Sequence, residues 1–260
     1  MLSKSERSEA AKTLLQAERT AKPVVQLTAT YPNITIEDAY AVQGEVIAAK
    51  LAAGRRVVGH KIGLTSKAMQ AASGVNEPDY GVLLDDMFYS DGETLQARRF
   101  IVPRVEVELA FILGSQLKGP GVTIFDVMRA TEYVTPALEL IDGRSKYPRK
   151  IQDNIADNAA TGGVIVGGRT VRPLDVDLRW VAAIMAKNGV VEESGVAAAV
   201  LGHPAMGIVW LANKLAAFGV ALEAGHFVLA GSFTRPVAVK DGDTVHVDYG
   251  PLGSISAHFA

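Results

Sequence analysis

The stretch Pro103–Phe111, which reads PRVEVELAF, contains the pattern that decides the fold of this 260-residue chain. Side chains on a β-strand alternate between the two faces of a sheet. Glu106 and Glu108 therefore share one face, and the apolar residues on either side of Glu108 share the other. Apolar segments flank the stretch, so we predict a buried strand that carries two carboxylates on one face.

Two carboxylates on a buried strand repel each other and lose hydration, so they need a neutralising partner. Glu139 adds a third acid within a second predicted strand, Tyr133–Ile141. Three carboxylates in a chain without cysteine suit a hard divalent cation such as Mg²⁺ or Mn²⁺. The residues alone leave two alternatives open: a solvent-facing pair of acids and, for Glu139, a structural ion pair with Arg144 or Arg104.

A second candidate segment is Gly59–Ser66, which reads GHKIGLTS. Lys61 lies in an apolar strand there, and a buried lysine is costly unless it is paired. Burial lowers the pKa of a lysine, so Lys61 could carry a proton or stabilise an enolate. Asp79, in the segment EPDYG at 77–81, is its candidate partner. The alternative is a lysine that reaches solvent and an aspartate that belongs to a turn.

Outside these segments the chain divides into a helical part and a part rich in short strands. Capping patterns at Ser3 and Thr35 begin two helices. From Arg56 onward short apolar strands predominate, interrupted by a helix over about 204–217. We predict an α+β protein built on a mixed β-roll or barrel. Its helical N-terminal region covers residues 1–55 and its catalytic region 56–260, as one continuous domain.

Composition excludes several classes of function. The net charge is −2, and no cluster of Lys and Arg indicates nucleic-acid binding. The absence of cysteine excludes disulfides and thiol nucleophiles. The polar N-terminus does not resemble a signal peptide, and no apolar run reaches the roughly 18 residues of a membrane span. We therefore expect a soluble, cytoplasmic enzyme. The glycines of Gly162–Gly168 lack the order of a dinucleotide site.

Taken together, seven motifs resemble one group of enzymes, the hydratase/decarboxylase branch of the fumarylacetoacetate hydrolase superfamily. The likeness extends over nearly the whole chain. The motifs are ITIEDAY at 34–40, GHKIGLTS at 59–66, EPDYG at 77–81, the strand 103–111, Glu139, DNA at 157–159 and GSFTRP at 231–236.

This resemblance implies a mixed β-roll of the fumarylacetoacetate hydrolase C-terminal type and assembly into a homo-oligomer. It also assigns roles to seven residues. These are the metal ligands Glu106, Glu108 and Glu139, the proton carriers Lys61 and Asp79, and the substrate contacts Ser232 and Leu64. Ser232 would lie near the keto-acid end of the substrate.

The activity that the resemblance implies is a Mg²⁺-dependent hydration in the catabolism of aromatic compounds. Water would add to 2-oxo-hept-4-ene-1,7-dioate, or its 2-hydroxy-2,4-diene tautomer, to give a 4-hydroxy-2-oxo dioate. A metal that chelates the keto acid would stabilise the enolate formed on tautomerisation. Two alternatives remain, decarboxylation of a 2-oxo-3-enedioate and a non-catalytic partner subunit.

A dioate also carries a second carboxylate far from the metal, and a desolvated carboxylate needs a cation. Arg235, Arg144 and His60 are candidates for this role. We rank Arg235 first because it lies in the loop expected at the substrate. The alternative is that Arg235 pairs with Asp241 or Asp243 on the surface.

Overall fold

The computed structural model describes residues 1–260. Seven α-helices are present: α1 (Lys4–Thr20), α2 (Leu27–Thr30), α3 (Ile36–Ala52), α4 (Lys67–Ala72), α5 (Ile124–Ala130), α6 (Ile151–Ala156) and α7 (Ala205–Ala216). The strands are β1 (Val57–Gly63), β2 (Asp79–Leu84), β3 (Phe88–Ser90), β4 (Thr94–Leu95), β5 (Arg104–Leu113), β6 (Thr131–Ile141), β7 (Thr161–Val166), β8 (Ala182–Lys187), β9 (Val190–Val196), β10 (Phe227–Leu229), β11 (Val237–Ala238), β12 (Thr244–Asp248) and β13 (Ser254–Phe259).

The two predicted capping patterns begin helices α1 and α3. The Ser3 hydroxyl accepts a hydrogen bond from the Glu6 amide, and the Glu6 carboxylate accepts one from the Ser3 amide. Thr35 and Asp38 form the same reciprocal pair at α3. These bonds satisfy amides that the first turn of a helix leaves without partners. Buried apolar residues of α1 and α3 then pack against α6, which joins the helical region to the strands.

The strands form two separate mixed sheets. The larger has the order β2-β1-β10-β5-β6-β7-β3, with β11 also paired to β5. Its β1–β10 and β3–β7 pairs are parallel, and the others are antiparallel. The smaller has the order β4-β13-β12-β8-β9. The mixed α+β roll is therefore confirmed, and it is an open roll, because neither sheet closes into a barrel.

The main hydrophobic core lies on one face of β5. Val105 and Val107 point into a cluster of 40 buried residues that also includes Val245 and Val247 of β12 and much of α7. Because side chains alternate along the strand, this packing turns Glu106 and the other even-numbered residues of β5 toward the opposite face. The fold thus separates an apolar face of β5 from a charged one.

The segment 174–186 contains a short 3₁₀ turn at Leu178–Trp180 followed by β8. Pro204 occupies the N-cap position of α7, one residue before the first helical residue. No helix of the structure has both the length and the apolar character needed to cross a membrane.

Candidate active site

Three carboxylates converge on the charged face of β5 and β6. Glu106 lies directly opposite Glu139 in the antiparallel pair, and Glu108 follows two residues later on the same face. Ligand oxygens of the three residues lie within 4.8 Å of one another, so the group could hold a metal ion. Glu108 and Glu139 are fully buried, whereas Glu106 retains some exposure. The structure thus brings together the three acids that the sequence singled out.

The electrostatics of this group are unfavourable in the absence of a cation. Glu108 Oε1 and both carboxylate oxygens of Glu139 are buried without a hydrogen-bond partner. Burial, together with the neighbouring Glu139, raises the pKa of Glu106 to about 8. Burial and the two neighbouring acids raise the pKa of Glu108 well above its ordinary value. Buried oxygens without partners are costly, so the cluster has unused capacity to coordinate a ligand.

Lys61 of β1 is buried beside this group, and its Nζ lies 3.3 Å from Glu139 Oε1. This is an ion-pair distance, although the contact does not have the geometry of a hydrogen bond. Burial lowers the pKa of Lys61, but Glu139, Asp79 and the other two acids outweigh that effect and raise it above the ordinary value. The expectation of a lowered lysine pKa was therefore wrong in direction, because it considered burial without the surrounding carboxylates.

Asp79, at the start of β2, lies opposite Gly63 of β1 and next to Lys61. A Cβ added at Gly63 would collide with Asp79 Oδ1, so only glycine permits this close approach. Asn154 Nδ2 donates to Asp79 Oδ2 over 2.8 Å. Asp79 Oδ1 is buried without any hydrogen-bond partner. One oxygen of this carboxylate is thus held in place and the other is available to accept a proton.

The loop after β10 closes another side of the site. The Gly231 amide donates to Glu108 Oε2 over 2.8 Å. Gly231 has a φ of 118°, which a residue with a side chain rarely adopts, and an added Cβ would collide with Thr65. The Ser232 hydroxyl bonds within the loop, donating to the Thr234 carbonyl at 2.9 Å. These contacts connect the Ser232 loop directly to the carboxylate group.

Leu64 follows β1 in the left-handed conformation, with a φ of 55°. Such a backbone is uncommon for a residue other than glycine and persists only where surrounding contacts hold it. Gln70 Nε2 donates to the Leu64 carbonyl over 2.9 Å, which fixes the turn. Leu64 is partly exposed, two residues after the buried Ile62 and three after Lys61. The turn therefore presents Leu64 at the edge of the site.

The three candidates for the distal carboxylate lie in different environments. Arg235 is 84% exposed and pairs with Glu193 of β9 at 2.7 Å, and not with Asp241 or Asp243. Arg144 is buried, and its terminal nitrogens donate to two backbone carbonyls and pair with Asp157. His60 is buried next to His226, and alternation along β1 places it on the face opposite Lys61.

Three residues that support the site were not predicted from the sequence. Asn154 orients Asp79, and Arg149 Nη2 in turn donates to Asn154 Oδ1 over 3.0 Å. Tyr249 also contributes, since its hydroxyl donates to the backbone carbonyls of Glu108 and Ala137. None of the three has a local motif that signals its role. Asn154 and Tyr249 lie far in sequence from the site residues that they contact, and Arg149 contacts Asn154 rather than Asp79 itself.

The residues present fit a divalent metal. Three carboxylates with several free oxygens are the donor set that Mg²⁺ and similar hard cations prefer. A cation at the centre would also compensate the negative charge that now raises the pKa of Glu106 and Glu108. The free oxygens of Glu108 and Glu139 give this fit its structural basis.

The open α+β roll, with an acid cluster on one sheet, a buried lysine and an aspartate, defines a class of metal-dependent enzymes that act on small oxygen-rich substrates. Residues 51–260 match the family model described as fumarylacetoacetate (FAA) hydrolase C-terminal. The chain belongs to this family.

Particular relatives sharpen this assignment. The chain is 59% identical to a 2-oxo-hept-4-ene-1,7-dioate hydratase of Escherichia coli, over 96% of each chain. It is 42% identical to a 4-oxalocrotonate decarboxylase of Pseudomonas putida, over 94% of this chain and 92% of the relative. Among solved structures, a 4-oxalocrotonate decarboxylase from Pseudomonas putida G7, complexed with magnesium and adipate, matches with a TM-score of 0.97 and 39% identity. That match covers 100% of this chain and 99% of the other.

Proposed function

We propose that this chain is a Mg²⁺-dependent hydratase, a lyase that adds water to 2-oxo-hept-4-ene-1,7-dioate or its 2-hydroxy-2,4-diene tautomer. The product is 4-hydroxy-2-oxoheptanedioate, an intermediate of the type formed when aromatic compounds are degraded. The observation that carries the proposal is the placement of Lys61 Nζ 3.3 Å from an acid of a three-carboxylate group. That geometry suits acid–base chemistry on a keto acid held by a cation.

Glu106, Glu108 and Glu139 would hold the cation, with Mn²⁺ as an alternative to Mg²⁺. When bound, the cation supplies Lewis-acid stabilisation to the oxygens of the keto acid. The Gly231 amide holds the Glu108 carboxylate in the orientation seen here. Ser232 and Leu64 would contact the keto-acid end of the substrate from the two loops that border the group.

Asp79 and Lys61 would move the protons. Asp79 Oδ1 has no hydrogen-bond partner and would accept the proton from the hydroxyl on carbon 2 of the dienol. Asp79 would then pass this proton to carbon 5, and the product of this step is a conjugated 2-oxo-3-ene. Water then adds its hydroxyl to carbon 4 and a proton to carbon 3. Lys61, protonated at neutral pH because carboxylates surround it, would donate a hydrogen bond to the negative oxygen that develops.

Two comparisons support the choice of substrate and reaction. The Escherichia coli relative at 59% identity is named for hydration of the seven-carbon dioate. The Pseudomonas putida G7 structure holds magnesium with adipate, itself a dicarboxylate. The decarboxylases share less identity with this chain, 42% in the case of the Pseudomonas putida enzyme.

Mass spectrometry of the product separates the candidate activities. Purified protein with Mg²⁺ is expected to convert the dioate to a product heavier by one water. A product lighter by one carbon dioxide would replace the hydratase proposal with a decarboxylase, and cleaved fragments would indicate a hydrolase. No turnover by the purified protein, under conditions where a known hydratase is active, would favour a non-catalytic partner subunit.

We also propose that the chain forms a homo-oligomer. Val191 of β9 and Ile184 of β8 are exposed apolar residues on the same face of the smaller sheet. Contact with another copy of the chain would bury these residues. Sedimentation is expected to give a mass well above 27.5 kDa, and a single species of that mass would contradict the proposal.

A further inference from the structure

The proposed substrate has a second carboxylate, and this inference rests on that proposed function. A carboxylate that leaves water needs a cation to compensate it. Among the cations that the sequence offered, Arg235 pairs with Glu193 and Arg144 pairs with Asp157. His60 faces away from Lys61. The distal carboxylate of the substrate therefore needs a cation that does not already form an ion pair with a protein carboxylate.

Arg104 lies at the right place in the fold. It is the first residue of β5, and alternation along the strand puts it on the same face as Glu106 and Glu108. The rise along a strand places its Cα about 7 Å from that of Glu106. The positive charge of Arg104 acts on Glu106, lowering its pKa against the opposing effect of burial. Its guanidinium group thus borders the carboxylate group without belonging to it.

Arg104 forms no ion pair within the protein. No carboxylate lies within 4.0 Å of its guanidinium nitrogens, in contrast to Arg144, Arg149 and Arg235, which all form ion pairs. Its Nε is buried and has no hydrogen-bond partner. An unpaired guanidinium beside a site for an anionic substrate has its donors free to bind a carboxylate in bidentate fashion.

An aromatic ring holds Arg104 in position. The Arg104 guanidinium carbon lies 5.2 Å from the centre of the Tyr147 ring, and that of Arg149 lies 4.8 Å from the same centre. Arg149 contacts Asn154, which holds Asp79. The Tyr147 ring therefore links Arg104, which begins the strand that carries two of the acids, to Arg149 and through Asn154 to Asp79.

We propose that Arg104, supported by the Tyr147 ring, binds the distal carboxylate of the dioate and selects dicarboxylates over monocarboxylates. Substrate bound by its keto-acid end at the three glutamates would extend along β5 toward Arg104. The aromatic ring limits the orientations of the guanidinium group, so less conformational entropy is lost when the carboxylate binds.

Steady-state kinetics on a matched pair of substrates tests the proposal. The pair is the seven-carbon 2-hydroxy-2,4-dienedioate and the monocarboxylate dienoate of the same length. Arg104→Gln is expected to lower kcat/KM for the dioate about ten- to hundredfold, mainly through KM. Its kcat/KM for the monocarboxylate should change less than about twofold. Arg104→Lys keeps a point charge but loses the planar fork, so its loss on the dioate should be intermediate.

Matched variants separate this role from others. Arg98→Gln removes an exposed arginine from the turn before β5 and should leave both substrates unaffected. Arg235→Gln tests the other candidate cation. The proposal would be overturned if kcat/KM for the dioate alone fell in Arg235→Gln and did not fall in Arg104→Gln. Equal losses on both substrates in Arg104→Gln would also overturn it. If Arg104→Gln does not fold, Tyr147→Ala serves as the test variant. It removes the ring that contacts Arg104, and Tyr147 is partly exposed, so the fold should tolerate the change.

A binding measurement distinguishes this inference from the proposed reaction. Calorimetry on the Mg²⁺-loaded protein would compare the non-reacting ligands 2-oxoheptanedioate and 2-oxoheptanoate. Arg104→Gln should abolish the preference for the dioate even if turnover proves to be decarboxylation. If the wild type binds both ligands equally, the Arg104 proposal fails. If the wild type prefers the dioate but adds no water to the substrate, only the hydratase proposal is refuted.

Discussion

Two clusters of buried charge lie in the same protein and differ in how their atoms are satisfied. In one, Arg144 and Arg149 compensate Asp157, whose carboxylate accepts bonds from the Arg144 amide and from Arg149 Nη1. In the other, Glu108 and Glu139 leave three carboxylate oxygens without hydrogen-bond partners. In the first cluster protein atoms alone satisfy the carboxylate, and only Arg149 Nε lacks a partner. In the second cluster the carboxylate oxygens themselves lack partners, so they can still bind a ligand.

This difference separates a structural ion network from a functional one. Removal of one partner from a satisfied buried network leaves an uncompensated charge and destabilises the fold. Loss of charge from an unsatisfied acid cluster relieves repulsion and should therefore affect the ligand more than the fold. Substitutions in the two clusters should therefore have opposite effects on activity and on stability.

Glu139→Gln should abolish activity while the protein remains folded. The substitution keeps the shape of the side chain but removes a metal ligand and the partner of Lys61. We expect kcat/KM to fall by at least about a thousandfold, equivalent to about 4 kcal/mol. Kinetics with saturating Mg²⁺, together with a thermal melt, measures both effects. Activity near that of the wild type would show that Glu139 has no role at the metal.

Asp157→Asn should produce the opposite result. It leaves Arg144 and Arg149 without a compensating anion in a buried position, which costs about 3–5 kcal/mol of unfolding free energy. Burial raises the pKa of Asp157 to about 6, so the carboxylate is ionised at neutral pH and its loss removes a full charge. Urea unfolding near neutral pH measures the change. Mn²⁺ affinity of the folded variant should be unchanged, and a loss of metal binding as large as in Glu139→Gln would erase the distinction between the clusters.

The metal-free protein should lose stability as the pH rises. The pKa of Glu106 is raised to about 8 from an ordinary value of 4.5, so the unfolded chain ionises first and is favoured between these two values. After a discount for the partial exposure of Glu106, the expected loss is about 2–4 kcal/mol. Measurement of the unfolding free energy in the presence of chelator, from about pH 4.5 to pH 8, gives its slope against pH. Glu106→Gln should flatten it, and an unchanged slope would show that Glu106 does not cause it.

His60 should give a smaller effect of the opposite sign. Burial, with a contribution from His226, lowers the pKa of His60 to about 3, so the folded protein keeps this histidine neutral. Stability from this group is present above pH 6.5 and is lost as the pH falls toward 3, by about 1–3 kcal/mol after relaxation of the buried site. His60→Gln should reduce the acid-side slope of the unfolding free energy, and identical slopes in variant and wild type would contradict the assignment.

Asn154→Leu should have the smallest effect, because it removes only the hydrogen bonds that Asn154 forms with Asp79 and Arg149. The 2.8 Å hydrogen bond to Asp79 Oδ2 is lost, while the metal ligands keep their contacts. We expect kcat to fall about tenfold with Mn²⁺ affinity unchanged, and the pH profile of kcat to shift. Asn154→Asp, which places a second acid beside Asp79, should shift the profile further. Equal falls in kcat and metal affinity would mean that Asn154 acts on the fold as a whole.

The parts of the site that depend on residues close together in sequence could be predicted. The alternation along residues 103–111 predicted that Glu106 and Glu108 share a face, since a strand has a period of two. The partner of Glu139 could not be predicted in this way. Neither Arg144 nor Arg104 pairs with it. Its ion-pair partner is Lys61 of β1, a strand from the first quarter of the chain that is separated from β5 only by β10.

The cationic side of the site was harder to predict for the same reason. Arg104 is adjacent in sequence to the acids, but whether its charge is paired depends on the loop after β6, which carries Tyr147 and Arg149. The pKa of Lys61 likewise depends on acids from three other strands, so burial alone gave the wrong direction. Period and capping patterns determine local structure, whereas the pairing of charges depends on contacts between distant segments.

The central claim is that the unsatisfied carboxylate cluster is a metal site. Titration of Mn²⁺ into chelator-treated protein, followed by calorimetry, tests it most directly. We expect one Mn²⁺ per chain in the wild type, none in a variant with all three glutamates changed to glutamine, and full binding in Asp157→Asn. Stoichiometric binding that survives in the triple variant would contradict it.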